Sequence, residues 1–427
     1  MRKKRKNKLI KYIVVIALAV FVVGGTILST RIIKQSRGLD RTKEESSKTA
    51  ESPAETVLTD TSVSSDETTA EVTEVPTTDF AAEESPEEIS EETVSEASEE
   101  TETSSPAVVL RDPDAVIDTS TTLYTYDKMQ EDLQYLAAVY PDLVQLHSAG
   151  TTEDGRDLSY VIFGNPEAER QIYICAATHG REYMTPQLVM RQLAFYCTEY
   201  ESGSYNGMPF SEIFQRTCFY VEPMVNPDGV TISQLGEEGL FRQDLRENLR
   251  KIFESDLTNG TAETADYAAY LVRWKANALG VDINRNYSPG WESVQERAAP
   301  SSTFYKGTAP GSERETQAQI AIIESMSNPL MAISYHSYGD LVYWQYGQPE
   351  PLWSENQALA QHISNMTGQY LAGYSNEAGF SNWCIIEKQL KSVTVETGTV
   401  PAPLPLSQFA ELWEEHRYIW AMLATVY

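Results

Sequence analysis

A long run that cannot pack limits this chain more than any other feature does. Residues 37–106 are Glu, Ser and Thr with scattered Ala, Val and Pro, as in SEASEE at 95–100. Such a stretch holds too little apolar surface to offset chain entropy, and its like charges keep it extended. The 427-residue chain therefore reads as three parts: a basic and apolar segment at 1–36, an acidic stalk at 37–106 and one folded domain at 107–427. A docking tail for a basic partner is the other use of such a run. The formal charge of −29 extends beyond the stalk, which argues against nucleic acid as a partner.

The chain opens MRKKRKNKLIK, and the 19 residues from Tyr12 to Thr30 carry no charge. At a rise of about 1.5 Å per residue such a helix crosses a hydrocarbon core of about 30 Å. The run has no polar face, unlike a buried helix of that length. Lys and Arg ahead of it predict a single-pass membrane anchor with everything after Thr30 outside the cell. A cleaved signal peptide is the alternative, although the run is long for one and no A-x-A-like site closely follows.

The folded part predicts one α/β domain, a mixed central sheet flanked by helices on both faces. TYDKMQEDLQYLAAVY repeats apolar residues at helical spacing; LVQLHSAGTTEDGRDLSYVIFG reads as two strands around a Gly-containing turn. QIYICAATHG is a buried strand running into a loop, followed by the helix TPQLVMRQLAFYCTEY. CFYVEPMVNPDG is a strand stopping at a turn, and GVDINRNY, MAISYHSYG and SVTVETGT are β-rich runs ending in polar residues. The polar residues collect just past the carboxyl ends of these strands, where open α/β sheets place ligands. Of the four cysteines none forms a C-x-x-C pair, which disfavours a thiolate metal site; Cys197 with Cys218 is the pairing expected of a disulfide, should one form.

Five histidines can be weighed one by one. His147, His362 and His416 read as surface or packing residues. His179 ends a strand in AATHGREYMTP and forms His-x-x-Glu with Glu182, while His336 ends another strand in AISYHSYG. Imidazole and carboxylate both suit Zn²⁺, and a catalytic zinc wants three protein ligands and one open position. Glu396 closes the apolar run SVTVE. Beside a metal-activated water it would be a general base; otherwise it is an edge-strand carboxylate in solvent.

The set HGRE (179–182), NPDG (226–229), GVDINRN (280–286), SYHSYG (334–339) and VETGT (395–399), in this order, resembles the zinc carboxypeptidase family. WKANALGVDINRN, SYHSYGDLVYW, AGFSNW and PAPLPLSQF resemble its bacterial branch that includes γ-D-glutamyl-L-diamino-acid peptidases. The resemblance spans roughly 124–427 and implies a carboxypeptidase-like fold and one Zn²⁺ held by His179, Glu182 and His336. It implies Glu396 as general base and Asn284, Arg285 and Arg181 as substrate-binding residues, a guanidinium fork suiting a carboxylate. Tyr374, 22 residues before Glu396, falls on a mobile substrate-capping tyrosine. The family's oxyanion-stabilising arginine falls on Lys275, with Arg273 as the other candidate. Ser381 and Asn382 are neutral where basic-specific relatives place an acid, and Glu377 is a nearby acid that could compensate.

Together these imply a zinc-dependent metallopeptidase acting beside a free C-terminal carboxylate, with a monomeric catalytic domain. Peptidoglycan stem peptides are the first expected substrate and ordinary peptides the second. A non-catalytic wall- or peptide-binding module on the same fold is the reading from another class, and the complete ligand trio with Glu396 argues against it.

Overall fold

The computed structural model describes residues 110–112, 115–295, 297–374 and 378–427. The expected membrane span, the acidic stalk and Glu377 lie outside the described residues. Among those described, no helix is long and apolar enough to cross a membrane. Contacts divide the chain into Met1–Ser98 and Glu99–Tyr427, and the elements below all belong to the second unit.

The elements follow in chain order. Helix α1 (Tyr126–Val139) precedes β1 (Val144–Thr151), β2 (Asp157–Gly164) and β3 (Arg170–Ala176). Next come α2 (Met184–Thr198), a small hairpin of β4 (Ser204–Tyr205) and β5 (Met208–Pro209), α3 (Phe210–Arg216) and β6 (Thr217–Glu222). Helices α4 (Pro227–Leu235), α5 (Gln243–Thr258), α6 (Tyr267–Val272) and α7 (Arg314–Ser325) lead to β7 (Pro329–His336) and β8 (Leu341–Tyr343). The chain closes with α8 (Leu352–Thr367), β9 (Tyr370–Leu371), α9 (Phe380–Ile386), β10 (Lys391–Glu396), α10 (Phe409–His416) and α11 (Ile419–Val426).

Eight strands form one mixed sheet in the order β1-β2-β6-β3-β7-β10-β8-β9. Its centre, β6-β3-β7-β10, is parallel, and β1, β2 and β8 add antiparallel neighbours. Strand alternation divides the interior in two. Ile172, Ile174, Met331, Ile333, Val393 and Val395 face a large core shared with α1, α2, α8, α10 and α11. Tyr173, Cys175, Cys218 and Ala332 face a second core closed by Ile322 and Ile323 of α7 and by Phe380 and Trp383 of α9.

Three expectations are corrected here. The proposed pair Cys197 and Cys218 does not form; all four cysteines are free and buried. Cys197 packs in the first core and Cys218 in the second, so the sheet lies between them. GVDINRNY is not a strand but a 3-10 turn at Ile283–Arg285. Its polar side chains take over the bonds that a ladder would have supplied: Asn286 Nδ2 donates to the carbonyls of Lys306 (2.9 Å) and Ala309 (3.1 Å), and Asn284 Oδ1 accepts from Phe380 N (3.1 Å). NPDG is not a turn that merely ends β6. Asn226 caps α4, its side chain accepting from Gly229 N, with Pro227 opening the helix.

Candidate active site

The strand β3 ends at Ala176, and the turn after it carries His179 and Glu182. That turn is fixed from two sides. Gly180 N donates to Lys275 O at 3.1 Å, and a Cβ on Gly180 would stand 2.3 Å from Gly229 O, so HGRE and NPDG meet closely through their glycines. His336 is the last residue of β7. Glu396, the last of β10, is its register partner on the adjacent parallel strand.

Sheet and turn thus bring the three expected ligands together. His179 Nδ1 lies 2.8 Å from Glu182 Oε1, His336 Nδ1 lies 3.1 Å from Glu182 Oε2, and the two Nδ1 atoms are 3.1 Å apart. All three residues are buried, with ligand atoms within 4.8 Å of one another. Two imidazole nitrogens and a carboxylate crowded this closely fit a shared cation. For bonds of about 2.0–2.1 Å, ligands at tetrahedral corners stand about 3.3 Å apart. The donor set of nitrogen and oxygen is what Zn²⁺ takes.

The far side of His179 is also held. Its Nε2 approaches Asp282 Oδ1 at 3.2 Å, which turns Nδ1 toward the other ligands. Burial holds the His179 imidazole below its usual range, against the pull of Glu182, favouring the neutral form a metal requires. Asp282 itself is fully buried. Burial alone would raise it, but the Lys275 ammonium and His179 hold its carboxyl well below the usual range. Lys275 Nζ donates to Asp282 Oδ2 at 2.7 Å.

A cavity of about 420 Å³ opens on this centre, lined by His179, Glu182 and Glu396, by the cations Arg181, Lys275 and Arg285, and by Asn284 and Tyr374. Of the residues expected at the site, all but His336 line this cavity, and His336 is buried directly behind it against His179 and Glu182. Arg273 is the exception among the alternatives: it does not line the cavity and pairs with Glu263 instead. Arg285 is 4 % exposed and Tyr374, at the rim, 60 %. Among the described residues Glu182 and Glu396 are the only carboxylates in the lining. One wall is neutral and polar. Ser381 and Thr394 hydroxyls lie 2.9 Å apart, Tyr346 OH lies 3.1 Å from Thr394 Oγ1, and Asn382 and Tyr343 stand beside them.

Sequence reading missed Asp282. Its signal was an acid three residues before Arg285, inside a motif already singled out. It missed also Thr394, Tyr343 and Tyr346, which look like ordinary strand and loop residues until the fold places them.

The profile of the family described as Peptidase M14, zinc carboxypeptidase, matches residues 129–419. The chain is 26% identical over 296 residues to gamma-D-glutamyl-L-diamino acid endopeptidase 1 of Lysinibacillus sphaericus, covering 68% of this chain and 70% of that protein. It is 26% identical over 315 residues to carboxypeptidase B of Astacus astacus, covering 69% of this chain and 93% of that one. Among solved structures, thrombin activatable fibrinolysis inhibitor superposes with a TM-score of 0.55 at 17% identity, covering 73% of this chain and 77% of that chain.

Proposed function

The chain belongs to the zinc carboxypeptidase family, and on that premise we propose that it hydrolyses the peptide or isopeptide bond next to a free C-terminal carboxylate, on peptidoglycan stem peptides outside the cell. One observation carries the chemical part of this reading: His179, Glu182 and His336 converge, and the first two line a cavity that also holds Glu396 and three cations.

We assign His179, Glu182 and His336 as the residues that hold zinc. When bound, the ion supplies Lewis-acid polarisation of the scissile carbonyl and lowers the pKa of water at the site. Glu396, facing this centre from β10, takes the proton of the attacking water and passes it to the departing nitrogen. Arg285 and Asn284 receive the terminal carboxylate, so chain ends are preferred over internal bonds. Arg181 adds a further contact to substrate, and Tyr374 at the exposed rim covers it. Lys275 in the cavity wall, rather than Arg273, meets the negative charge that develops on the carbonyl oxygen.

Similarity to the Lysinibacillus endopeptidase supports the stem-peptide substrate. Ordinary peptides are the second reading, the neutral wall of Ser381, Asn382 and Thr394 supporting an uncharged last side chain. The basic opening and the uncharged run from Tyr12 to Thr30 support an anchored protein with its domain outside the cell, which fractionation of membranes tests.

The deciding experiment incubates the protein with muropeptides and with a library of peptides differing in the last residue, with and without a chelator, and reads the products by mass spectrometry. Chelator-sensitive release from the carboxyl end is expected. Glu396→Gln should keep its zinc and lose about 100- to 10,000-fold in kcat. Full activity in that variant refutes the assignment of the base, and cleavage confined to internal bonds refutes the exopeptidase reading.

A further inference from the structure

Phe304 holds a backbone conformation that a residue of its size seldom takes. Its φ is +64°, in the left-handed region where glycine sits at no steric cost. Hydrogen bonds fix it there. Phe304 N donates to Asp282 Oδ2 at 3.2 Å, and its carbonyl accepts from Arg297 N at 3.3 Å. The neighbouring Tyr305 carbonyl accepts from Asp282 N at 2.7 Å.

This posture puts the ring against two cations at once. Lys275 Nζ lies 4.4 Å from the ring centroid and the Arg285 guanidinium carbon 5.5 Å, both within the range of about 6 Å for cation–π attraction. Lys275 and Arg285 line the cavity and Phe304 does not, so the ring supports the cations without taking up substrate space. Both cations need support. They carry like charges, and Lys275 is a point charge on a four-carbon stem that can swing through several rotamers. Asp282 fixes the ammonium from one direction and the ring from another, while the same Asp282 fixes the ring's backbone.

We propose that Phe304 is a positioning residue: its ring holds Arg285 and Lys275 in the orientation that receives the substrate's terminal carboxylate and the scissile carbonyl oxygen. This rests on the reading of Arg285 and Lys275 given above. Bulk alone does not meet the need, because an aliphatic side chain has no negative ring face to offer a cation.

The test uses the full chain and two substrates that differ only in a free or amidated C-terminus, and compares the ratio of their kcat/KM values. Kinetics and the thermal midpoint are measured for the wild type, Phe304→Gly, Phe304→Leu, Phe304→Tyr and Arg285→Ala. Phe304→Gly should keep or raise the midpoint, since glycine suits the backbone, yet cut the carboxylate-over-amide ratio about tenfold, mainly through KM of the free-carboxylate substrate. Phe304→Leu should lose the ratio similarly, and Phe304→Tyr should restore it to within about twofold of wild type. A folded Phe304→Gly with the wild-type ratio overturns the proposal. If that variant does not fold, equal ratios in Phe304→Leu and Phe304→Tyr overturn it. Arg285→Ala separates the two levels: an unchanged ratio there removes the reading of Arg285 and this inference together, whereas collapse there with none in the Phe304 variants removes the inference alone.

Discussion

At the residue scale, Asp282 does the most with the fewest atoms. It accepts from His179, Lys275 and Phe304 N, and so joins a proposed metal ligand, the proposed oxyanion group and the proposed support of both cations. Loss of such an outer carboxylate typically weakens a metal site about 10- to 100-fold. Asp282→Ala should therefore raise the zinc dissociation constant by about that factor, measured by competition with a chromogenic chelator. Wild-type zinc affinity in the variant would show that His179 is oriented by other means. The two histidines and Glu182, the ligands proposed above, stood out in the sequence because His336 ends a strand and His179 and Glu182 lie in the turn after one. Asp282 did not, because its partners are remote along the chain: His179 lies 103 positions away and Phe304 22.

At the element scale, β1, β2, β3, β6, β7 and β10 read as strands from their sequence, whereas the short β8 and β9 do not and the segment 280–286 reads wrongly as β-rich. Asp282, Asn284 and Asn286 there bind backbone that is remote along the chain, at Phe304, Phe380 and Lys306, an outcome that apolar periodicity alone does not distinguish from a short strand. The end of β6 carries another polar feature hidden from sequence. Glu222 is fully buried in the second core, where Tyr173 donates to its Oε2, Gln319 Nε2 donates to Tyr173 OH at 2.8 Å, and Tyr287 OH donates to Gln319 Oε1 at 2.6 Å. Burial raises the Glu222 carboxyl from 4.5 to about 7. The folded protein thus keeps a proton that the unfolded chain has already released between these values. This contribution to stability is complete below about 4.5, drains away as pH rises toward about 7, and is gone above it. Glu222→Gln removes the ionisation while keeping an amide in the network. Its thermal midpoint should fall less than that of wild type between pH 5 and pH 8, and equal slopes would contradict the assignment. Tyr287 directly follows the segment that carries Arg285, so the same network braces the turn proposed to bind substrate.

At the scale of the whole molecule, the described elements and the proposed site all belong to the unit Glu99–Tyr427. Deleting residues 1–98 should leave the thermal midpoint and the chelator-sensitive rate within about twofold of the full chain, because two buried cores and the complete cavity are retained. A fragment that fails to fold or loses its zinc would show that the acidic segment contributes to the domain after all. The general architecture was legible from the succession of helical and strand-like patterns. The placing of Cys197 and Cys218 on opposite faces was not, since sequence distance says nothing of which side of a sheet a residue takes.

His336 and Glu396 stand side by side on hydrogen-bonded parallel strands, a spacing of about 4.8 Å set by the backbone repeat itself. Changes at the rim, where Tyr374 is exposed, should then alter which molecules gain entry while leaving the alignment of these two proposed reacting groups undisturbed. In such an arrangement selectivity and reactivity are separable traits, so the first can be retuned by exchanging rim residues without rebuilding the second.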